Sequence, residues 1–234
     1  MRFEIILTLA AMLSGVWLHG GENLLPNGNF DAGKDNAENW ETPDGLTSFW
    51  VDEPGRGRVL KMDSRVDRIQ AKNWWEQRKK SPESKQPQPE YPKKELATIA
   101  SNEGVMLDSD FIPVKKGQNY KLTVDYKGKF QPIIWIKGFM FHPLRKYYTD
   151  SYQTRLVPEG GSEKEWKTFS IGFNPTARMP RTEKMKVRFY AYWPPGVYYF
   201  DNIRVEEISP EEMAALVEKR SEVKKQVRSA SPRA

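Results

Sequence analysis

The chain has 234 residues, of which 38% are hydrophobic, 29% are charged and none is cysteine. Without cysteine there is no disulfide, no thiolate catalysis and no cysteine-ligated zinc. The net charge of +6 comes from two segments: residues 68–95 contain eight Lys and Arg against four Glu, and residues 209–234 contain six against four. Since the rest of the chain is close to neutral, we expect no nucleic-acid partner for its body.

An apolar run over residues 5–18 opens the chain, after Arg2 and Glu4. The run is short for a bilayer span but has the length of a signal-peptide hydrophobic region. We therefore expect residues 1–21 to be a signal peptide, the mature chain to have no membrane span, and the protein to be secreted or periplasmic. A buried N-terminal helix is the alternative, because Glu4 is unusual in a signal and no small-x-small cleavage motif follows.

The body of the chain, residues 22–208, consists of short apolar or alternating segments separated by turn residues. The predicted strands are residues 49–51, 59–62, 105–107, 111–114, 120–126, 133–138, 166–171, 185–192 and 197–205. In residues 120–126 apolar and polar side chains alternate, which is the period of a half-buried strand. No helical pattern separates the strands, so we predict an all-β fold, a jelly-roll β-sandwich, and not a parallel α/β sheet.

Two segments interrupt or follow this series of strands. Residues 68–95 are rich in Lys, Glu, Gln and Ser, contain four prolines from position 82 to 92, and predict an extended, solvated insertion. Residues 209–234 begin with Ser209, Pro210 and Glu212, the pattern of a capping box. We predict a charged helical tail with a narrow apolar stripe, which acts as a spacer and is a candidate surface for a protein partner.

Three motifs occur in the order and at the spacing of one family. They are NLLPNGNFD at residues 23–31, FIPVKKGQNYKL at residues 111–122 and YYFDNIRV at residues 198–205. Together they resemble carbohydrate-binding modules of families 4 and 9, in the galactose-binding-like jelly-roll class, over about residues 23–208. The whole chain also resembles a group of exported proteins from planctomycete-like bacteria. The resemblance implies a β-sandwich that binds a glycan.

The resemblance also implies a structural calcium ion shared by the opening and closing strands. Calcium takes six to eight oxygen ligands from carboxylates and carbonyls. Carried over by motif, Asp31 and Asp201 supply the carboxylates, and Asn29 and the turn near Glu53 supply further oxygens. The opening motif of the family usually ends in Glu, so Asp31 is a departure. The alternative is that Asp201 caps a turn and that Asp31 is solvated.

Sugar binding requires flat apolar rings that stack on pyranose C–H groups, with a few polar groups that fix the hydroxyls. The candidate ligand-binding residues are Trp74, Trp75, Trp135, Tyr147, Tyr148, Tyr152 and Trp193, with hydrogen bonds from Gln70, Arg145 and Gln153. Trp74 and Trp75 lie in a polar segment, and Trp193 precedes two prolines in a stiff loop. Ordinary core packing is the competing interpretation for each ring, and we assign Trp40, Trp50 and Trp166 to the core.

The sequence offers little for catalysis. His142 is the only histidine after the predicted signal peptide, and no Gly-x-Ser-x-Gly pattern or zinc-type histidine pair is present. Asp108 and Asp110 would share one face of a strand, but exposed acid pairs are common. We therefore expect a non-catalytic carbohydrate-binding module. The alternatives are an envelope protein that docks partners through its insertion and tail, and a glycan-active enzyme.

Overall fold

The computed structural model describes residues 21–158 and 160–230, with the side chains of residues 223–230 excluded. The predicted signal peptide falls almost entirely outside this range and stays a prediction. Among the described residues, no helix has both the length and the apolar character that a membrane crossing requires.

The described strands form two antiparallel sheets that face each other. The first sheet has the order β1 (Ser48–Glu53), β2 (Gly57–Asp63), β10 (Val197–Ile208), β5 (Asn119–Gly128) and β8 (Ser162–Phe173). The second has the order β3 (Val105–Asp108), β9 (Lys184–Ala191), β6 (Ile133–His142) and β7 (Tyr147–Leu156), with β4 (Ile112–Pro113) also paired to β9. The predicted jelly-roll β-sandwich is confirmed. Strand β7 was missed by the sequence analysis.

Large rings fill the space between the sheets. Phe189 of β9 stacks on Phe200 of β10 with ring centroids 4.2 Å apart, and both rings are fully buried. Trp40 stacks on Phe189 at 5.7 Å and is 4% exposed, so its predicted core position is confirmed. Trp50 is half-buried and packs against the same core. Burial of these rings supplies the main driving force for joining the sheets.

The opening motif lies along the closing strand. The backbone N–H of Leu24 donates to the Val205 carbonyl at 2.8 Å, and that of Ile203 donates to the Gly28 carbonyl at 2.8 Å. The Asn23 side chain also bonds both Ile203 and Val205. A Cβ at Gly28 would lie 1.8 Å from the Ile203 carbonyl oxygen, so this approach requires glycine. The two motifs at opposite ends of the sequence are therefore neighbours in space.

The prediction of an extended, solvated insertion at residues 68–95 is wrong for its first half. Residues Arg68–Lys80 form helix α1, which begins where the Asp67 carboxylate accepts hydrogen bonds from the backbone of Ile69 and Gln70. Gln70 then holds the returning chain, because its side chain bonds the backbone of Gln88 and Glu90. The insertion is therefore a helix with a tethered return segment.

Helix α1 is docked on the loop that precedes β1. The Trp74 indole donates to the Asp44 carbonyl at 2.7 Å, the Trp75 indole donates to the Asp44 carboxylate, and Arg78 donates to the Pro43 carbonyl at 2.9 Å. Two adjacent tryptophans thus anchor the insertion to the sandwich, which explains why a polar segment folds.

Helix α2 (Pro210–Ala230) confirms the predicted tail helix and its cap. The Glu212 N–H donates to the Ser209 hydroxyl at 3.1 Å. The helix is not a detached spacer, because a Cβ at Gly172 of β8 would lie 2.4 Å from the Met213 sulfur. Lys121 of β5 also pairs with Glu212 at 2.8 Å. The first turns of α2 therefore rest on the first sheet.

Candidate functional site

The structure does not bring the seven predicted ligand-binding aromatics together. Trp74 is 4% exposed and Trp75 is half-buried against the core. Both indole N–H groups are used by Asp44. The burial of Trp74 and the contacts of both indoles favour the core-packing interpretation, and ligand binding by Trp75 stays a prediction.

Three other predicted residues lie on the second sheet. Trp135 of β6 is half-buried on the outer face, in register between Arg188 and Arg155. Tyr152 packs against the core as a half-buried residue. The ring centroid of Tyr148 of β7 lies 4.1 Å from the Lys184 ammonium. These residues occupy separate parts of the sheet.

Tyr147 and Trp193 are the exposed members of the set, at 50% and 42%. Tyr147 accepts a hydrogen bond from Arg145 at 3.1 Å, near the β6–β7 turn. Trp193 lies in the connection between β9 and β10, where it lines a cleft with Arg155 and Phe130. Of the predicted residues, Trp193 alone combines an exposed ring with a concave surface.

A different row of side chains crosses the outer face of the first sheet. Phe49 of β1 is in register with Lys61 of β2, Lys61 with Tyr199 of β10, and Tyr199 with Lys127 of β5. Trp166 of β8 completes the row, with its ring centroid 6.4 Å from that of Tyr199. We call these five residues the aromatic band. Rings and lysines alternate from one edge strand to the other.

Cations hold the rings of the aromatic band in place. The Lys127 ammonium lies 4.7 Å from the Tyr199 ring centroid and 5.2 Å from that of Trp166, and the Lys61 ammonium lies 5.5 Å from that of Phe49. These distances are typical of cation–π contacts, which orient the ring and the cation together. All three rings keep part of their surface in solvent. The band is therefore an ordered row of partly open rings.

The position of Trp166 corrects the sequence analysis, which assigned this residue to the core. Its ring is half-buried on the outer face, where the Arg56 guanidinium lies 4.2 Å from the centroid. The inward positions of β8 belong to residues such as Ile171 and Phe173. Phe49, Lys61, Lys127 and Tyr199 were also missed as site residues. Alternation along each strand indicates which side chains point outward, but the register between strands is not encoded in a local pattern.

Charged groups beside the band are paired with one another. Arg56 donates to Asp201 at 2.8 Å and also to Asp125, and Lys127 pairs with Glu53. Asp125 further accepts hydrogen bonds from Thr168 and Asn202. The charges of Arg56 and Lys127 are therefore compensated within the protein.

The pKa values of the two carboxylates that pair with Arg56 are shifted in opposite directions. Burial raises the pKa of Asp201 above its ordinary value, and the hydrogen bond from Arg56 only partly offsets this. Burial would also raise the pKa of Asp125, but hydrogen bonds from Asn202, Thr168 and Arg56 outweigh it and lower this pKa. The difference follows from exposure, since the side chain of Asp201 is 1% exposed and that of Asp125 is 16% exposed.

The insertion reaches the first sheet beside the band, at the end of β2. Tyr91, which is 55% exposed, donates to the buried Asp63 carboxylate at 3.2 Å and lies under the Arg65 guanidinium at 5.1 Å. Burial, followed by the negative charges of Glu53 and Asp63, raises the pKa of Tyr199, so its hydroxyl stays protonated at neutral pH. Tyr91 adds a fourth ring beside the row.

The predicted calcium ligands do not fit the ion as they are arranged. Asp201 and Glu53 are already held by Arg56 and Lys127. Within residues 21–158 and 160–230, no group of three or more His, Cys, Asp or Glu could hold a metal. The Arg56 guanidinium thus lies against the Asp201 carboxylate, at the place that a calcium ion would need.

The opening motif has its own internal bonds. Asp31 accepts a hydrogen bond from the Asn29 side chain at 2.8 Å and another from the Arg58 backbone at 3.0 Å. These bonds connect the opening motif to the start of β2 without an ion. Calcium binding at Asn29 and Asp31 stays a prediction, which these bonds do not support.

The acid pair considered for catalysis is also engaged. Asp108 accepts two hydrogen bonds from the Arg188 guanidinium, at 2.6 and 2.9 Å, and is 5% exposed. Asp110 is exposed beside it. The Asp108 carboxylate is therefore held in a bidentate ion pair within the protein.

No protein-family model and no curated protein matches the chain. Among solved structures, the chain is similar to a domain titled Family 16 Carbohydrate Binding Module-2, with 14% identity over 78% of this chain and 99% of that one and a TM-score of 0.43. It is also similar to the CBM22-1 xylan-binding domain from Paenibacillus barcinonensis Xyn10C, with 10% identity over 81% and 96% and a TM-score of 0.44.

A third similar structure is the enzymatically active domain of bacteriophage CBA120 tailspike protein 4. The identity is 10%, 80% of this chain is covered and the TM-score is 0.47. The chain spans 21% of that structure's length. All three TM-scores are below 0.5, so the assignment of the fold rests on the two sheets described above.

Proposed function

We propose that this protein binds a neutral glycan chain, without catalysing a reaction, through the aromatic band on the outer face of its first sheet. The alternating row of rings and lysines across five strands is the observation that carries the proposal. The resemblance of the three sequence motifs to family 4 and 9 modules supports it. Export to the periplasm or the exterior, as the predicted signal peptide implies, is part of the same proposal.

The spacing of the rings suits an extended ligand. Neighbouring strands lie about 4.8 Å apart, so Phe49 and Tyr199, which are two strands apart, are separated by about 10 Å along the row. Trp166 lies on the far side of Tyr199. A ligand that contacts all three rings must therefore run across the strands, as a chain of several sugar units does.

The ion pairs of Lys127 and Arg56 favour an uncharged ligand at this part of the band. Lys127 is paired with Glu53, and Arg56 is paired with Asp125 and Asp201. The remaining lone pairs of these carboxylates and the remaining N–H groups of the two cations are available to ligand hydroxyls. An anion or a cation would have to disrupt an existing ion pair. Hydroxyl-rich neutral chains meet both the apolar and the polar requirements of this surface.

The test is a binding titration by calorimetry with neutral probes: xylan, β-1,4-galactan, β-mannan and cello-oligosaccharides. We expect Trp166→Ala to weaken binding of the recognised probe by at least roughly 30-fold, because loss of a large aromatic contact costs about 2 kcal/mol or more. Phe49→Ala, which removes a smaller ring at the other edge of the row, should have a smaller effect.

Tyr147→Ala is the matched control, because Tyr147 is an exposed ring on the other sheet. It should leave the affinity unchanged. Binding that persists unaltered in Trp166→Ala would contradict the proposal, as would the absence of binding to every probe. Hydrolysis of a probe by the wild-type protein would show that the protein is an enzyme and not a binding module.

A further inference from the structure

A second concave surface lies at one end of the sandwich, just beyond the end of β5. The connections β5–β6, β7–β8 and β9–β10 each cross from one sheet to the other, and they meet at this end. They enclose a cleft of about 400 Å³ lined by Trp193, Phe130, Gln131, Lys129 and Arg155, with backbone from residues 160 and 161. We call this the end cleft.

The rims of the end cleft are fixed by buried groups. The fully buried Ser64 exchanges hydrogen bonds with the Gly196 backbone at 3.0 and 3.1 Å, and the buried Tyr198 hydroxyl donates to the Pro194 carbonyl at 2.9 Å. These bonds anchor the loop that carries Trp193. The exposed ring is therefore held by the core, and little ordering is needed when a ligand binds.

The opposite rim is held in the same way. The Tyr126 hydroxyl donates to the Gly160 carbonyl. A Cβ at Gly161 would lie 2.6 Å from the carbonyl oxygens of Gly128 and Lys129, so the chain passes closely here. The β5–β6 and β7–β8 connections are thereby locked together beside Phe130.

The charge of the end cleft differs from that of the aromatic band. Lys129 and Arg155 are exposed, and neither has an ion pair or a side-chain hydrogen bond within the described residues. None of the lining residues that the structure describes is acidic. Lys129 lies 5.3 Å from the Phe130 ring centroid, which positions its ammonium over an aromatic face. The end cleft thus presents two rings and two uncompensated cations.

We propose that the end cleft is a second binding site, which takes a sugar that carries a carboxylate. The pyranose ring would stack on Trp193, the carboxylate would bind the guanidinium of Arg155 and the ammonium of Lys129, and the Gln131 amide would bond a hydroxyl. An aromatic face beside unpaired cations fits this combination of an apolar ring and a negative charge. A neutral sugar would leave both cations without a partner.

The test is calorimetric titration of the whole protein with a galacturonic acid trimer and with the corresponding neutral galactose trimer. N-acetylneuraminic acid serves as a third probe and distinguishes the second common source of a sugar carboxylate. We expect at least one acidic probe to bind at least tenfold more tightly than the neutral trimer. This binding should weaken between low salt and 1 M salt, where the Debye length falls to about 3 Å.

Arg155→Gln and Trp193→Ala should each weaken binding of the acidic probe by roughly tenfold or more, the usual size of a lost charged hydrogen bond or stacking contact. Arg181→Gln is the matched control, because Arg181 is an exposed arginine at the opposite end of β9. Its effect should be negligible. Trp166→Ala should also leave the acidic probe unaffected, which separates this site from the aromatic band.

Three results would overturn the proposal. One is equal affinity for the acidic and neutral trimers, and another is no greater effect of Arg155→Gln than of Arg181→Gln. The third is binding of an oligothymidylate with the same sensitivity to Arg155→Gln as the acidic trimer, which would define a general polyanion site. Retention of acidic-sugar binding in a protein that binds no neutral glycan would support the end cleft and remove the proposed role of the aromatic band.

Discussion

Asp125 shows how a single residue connects the first sheet to the candidate site. It accepts hydrogen bonds from Thr168, Asn202 and Arg56, which belong to three different parts of the chain. Arg56 in turn stacks on Trp166. The orientation of the Trp166 ring therefore depends on a carboxylate that does not itself need to contact a ligand.

The titration of Asp125 predicts a pH-dependent contribution to stability. Because its folded-state pKa is lowered, ionised Asp125 stabilises the fold above the unfolded pKa of about 3.9, and this contribution is lost as the pH falls through the folded pKa. We expect Asp125→Asn to lower the free energy of unfolding at pH 7 and to have a smaller effect at pH 3. Urea denaturation of both proteins at the two pH values measures this. An equal effect at both pH values would contradict the prediction.

Helix α1, like strand β7, was missed by the sequence analysis, and the reason is specific. The sequence analysis treated residues 68–95 as one segment. The prolines lie only in residues 82–92, after the helix, and residues 68–80 contain no Pro or Gly. Asp67 as N-cap, followed by Ala71 and Trp74 on one face, was the available signal. The docking of Trp74 on residue 44 is a tertiary contact that no local pattern predicts.

The docking of α1 gives a prediction about stability. Trp74→Ala should lower the free energy of unfolding by about 3–5 kcal/mol, the usual cost of deleting a buried tryptophan, and should reduce the helical signal of the insertion. Trp74→Phe keeps most of the ring volume but loses the bond to Asp44, so it should cost less. Urea denaturation with far-ultraviolet circular dichroism measures both. A change below about 1 kcal/mol for Trp74→Ala would mean that the insertion is solvated after all.

At the level of the whole molecule, the class of fold was predictable and the site was not. Alternation in β5 and the pairing of the opening and closing motifs are local or motif-level signals, and both predicted the sandwich correctly. The aromatic band depends on the alignment of five strands, which joins residues as distant as Phe49 and Tyr199. Trp193 was a candidate ligand-binding residue on the basis of its loop alone, because a tryptophan before two prolines is hard to bury. Its neighbours Arg155 and Phe130 come from other connections.

The contacts of Asp31 and Asp201 predict how the protein responds to calcium. The Asp201 carboxylate is paired with Arg56, and the Asp31 carboxylate accepts hydrogen bonds from Asn29 and Arg58. An ion that binds only the folded protein raises its melting temperature. We expect neither added calcium nor EDTA to change the melting temperature measured by calorimetry. A saturable increase with calcium would show that the resemblance to family 4 and 9 modules extends to their metal site.

The most direct test of the glycan-binding proposal is an NMR titration that follows the tryptophan indole N–H signals as the recognised neutral glycan is added. The account predicts a saturable shift of the Trp166 signal, while the signals of the buried Trp40 and Trp74 stay in place. A titration that saturates without moving the Trp166 signal would contradict the assignment of the site to the aromatic band.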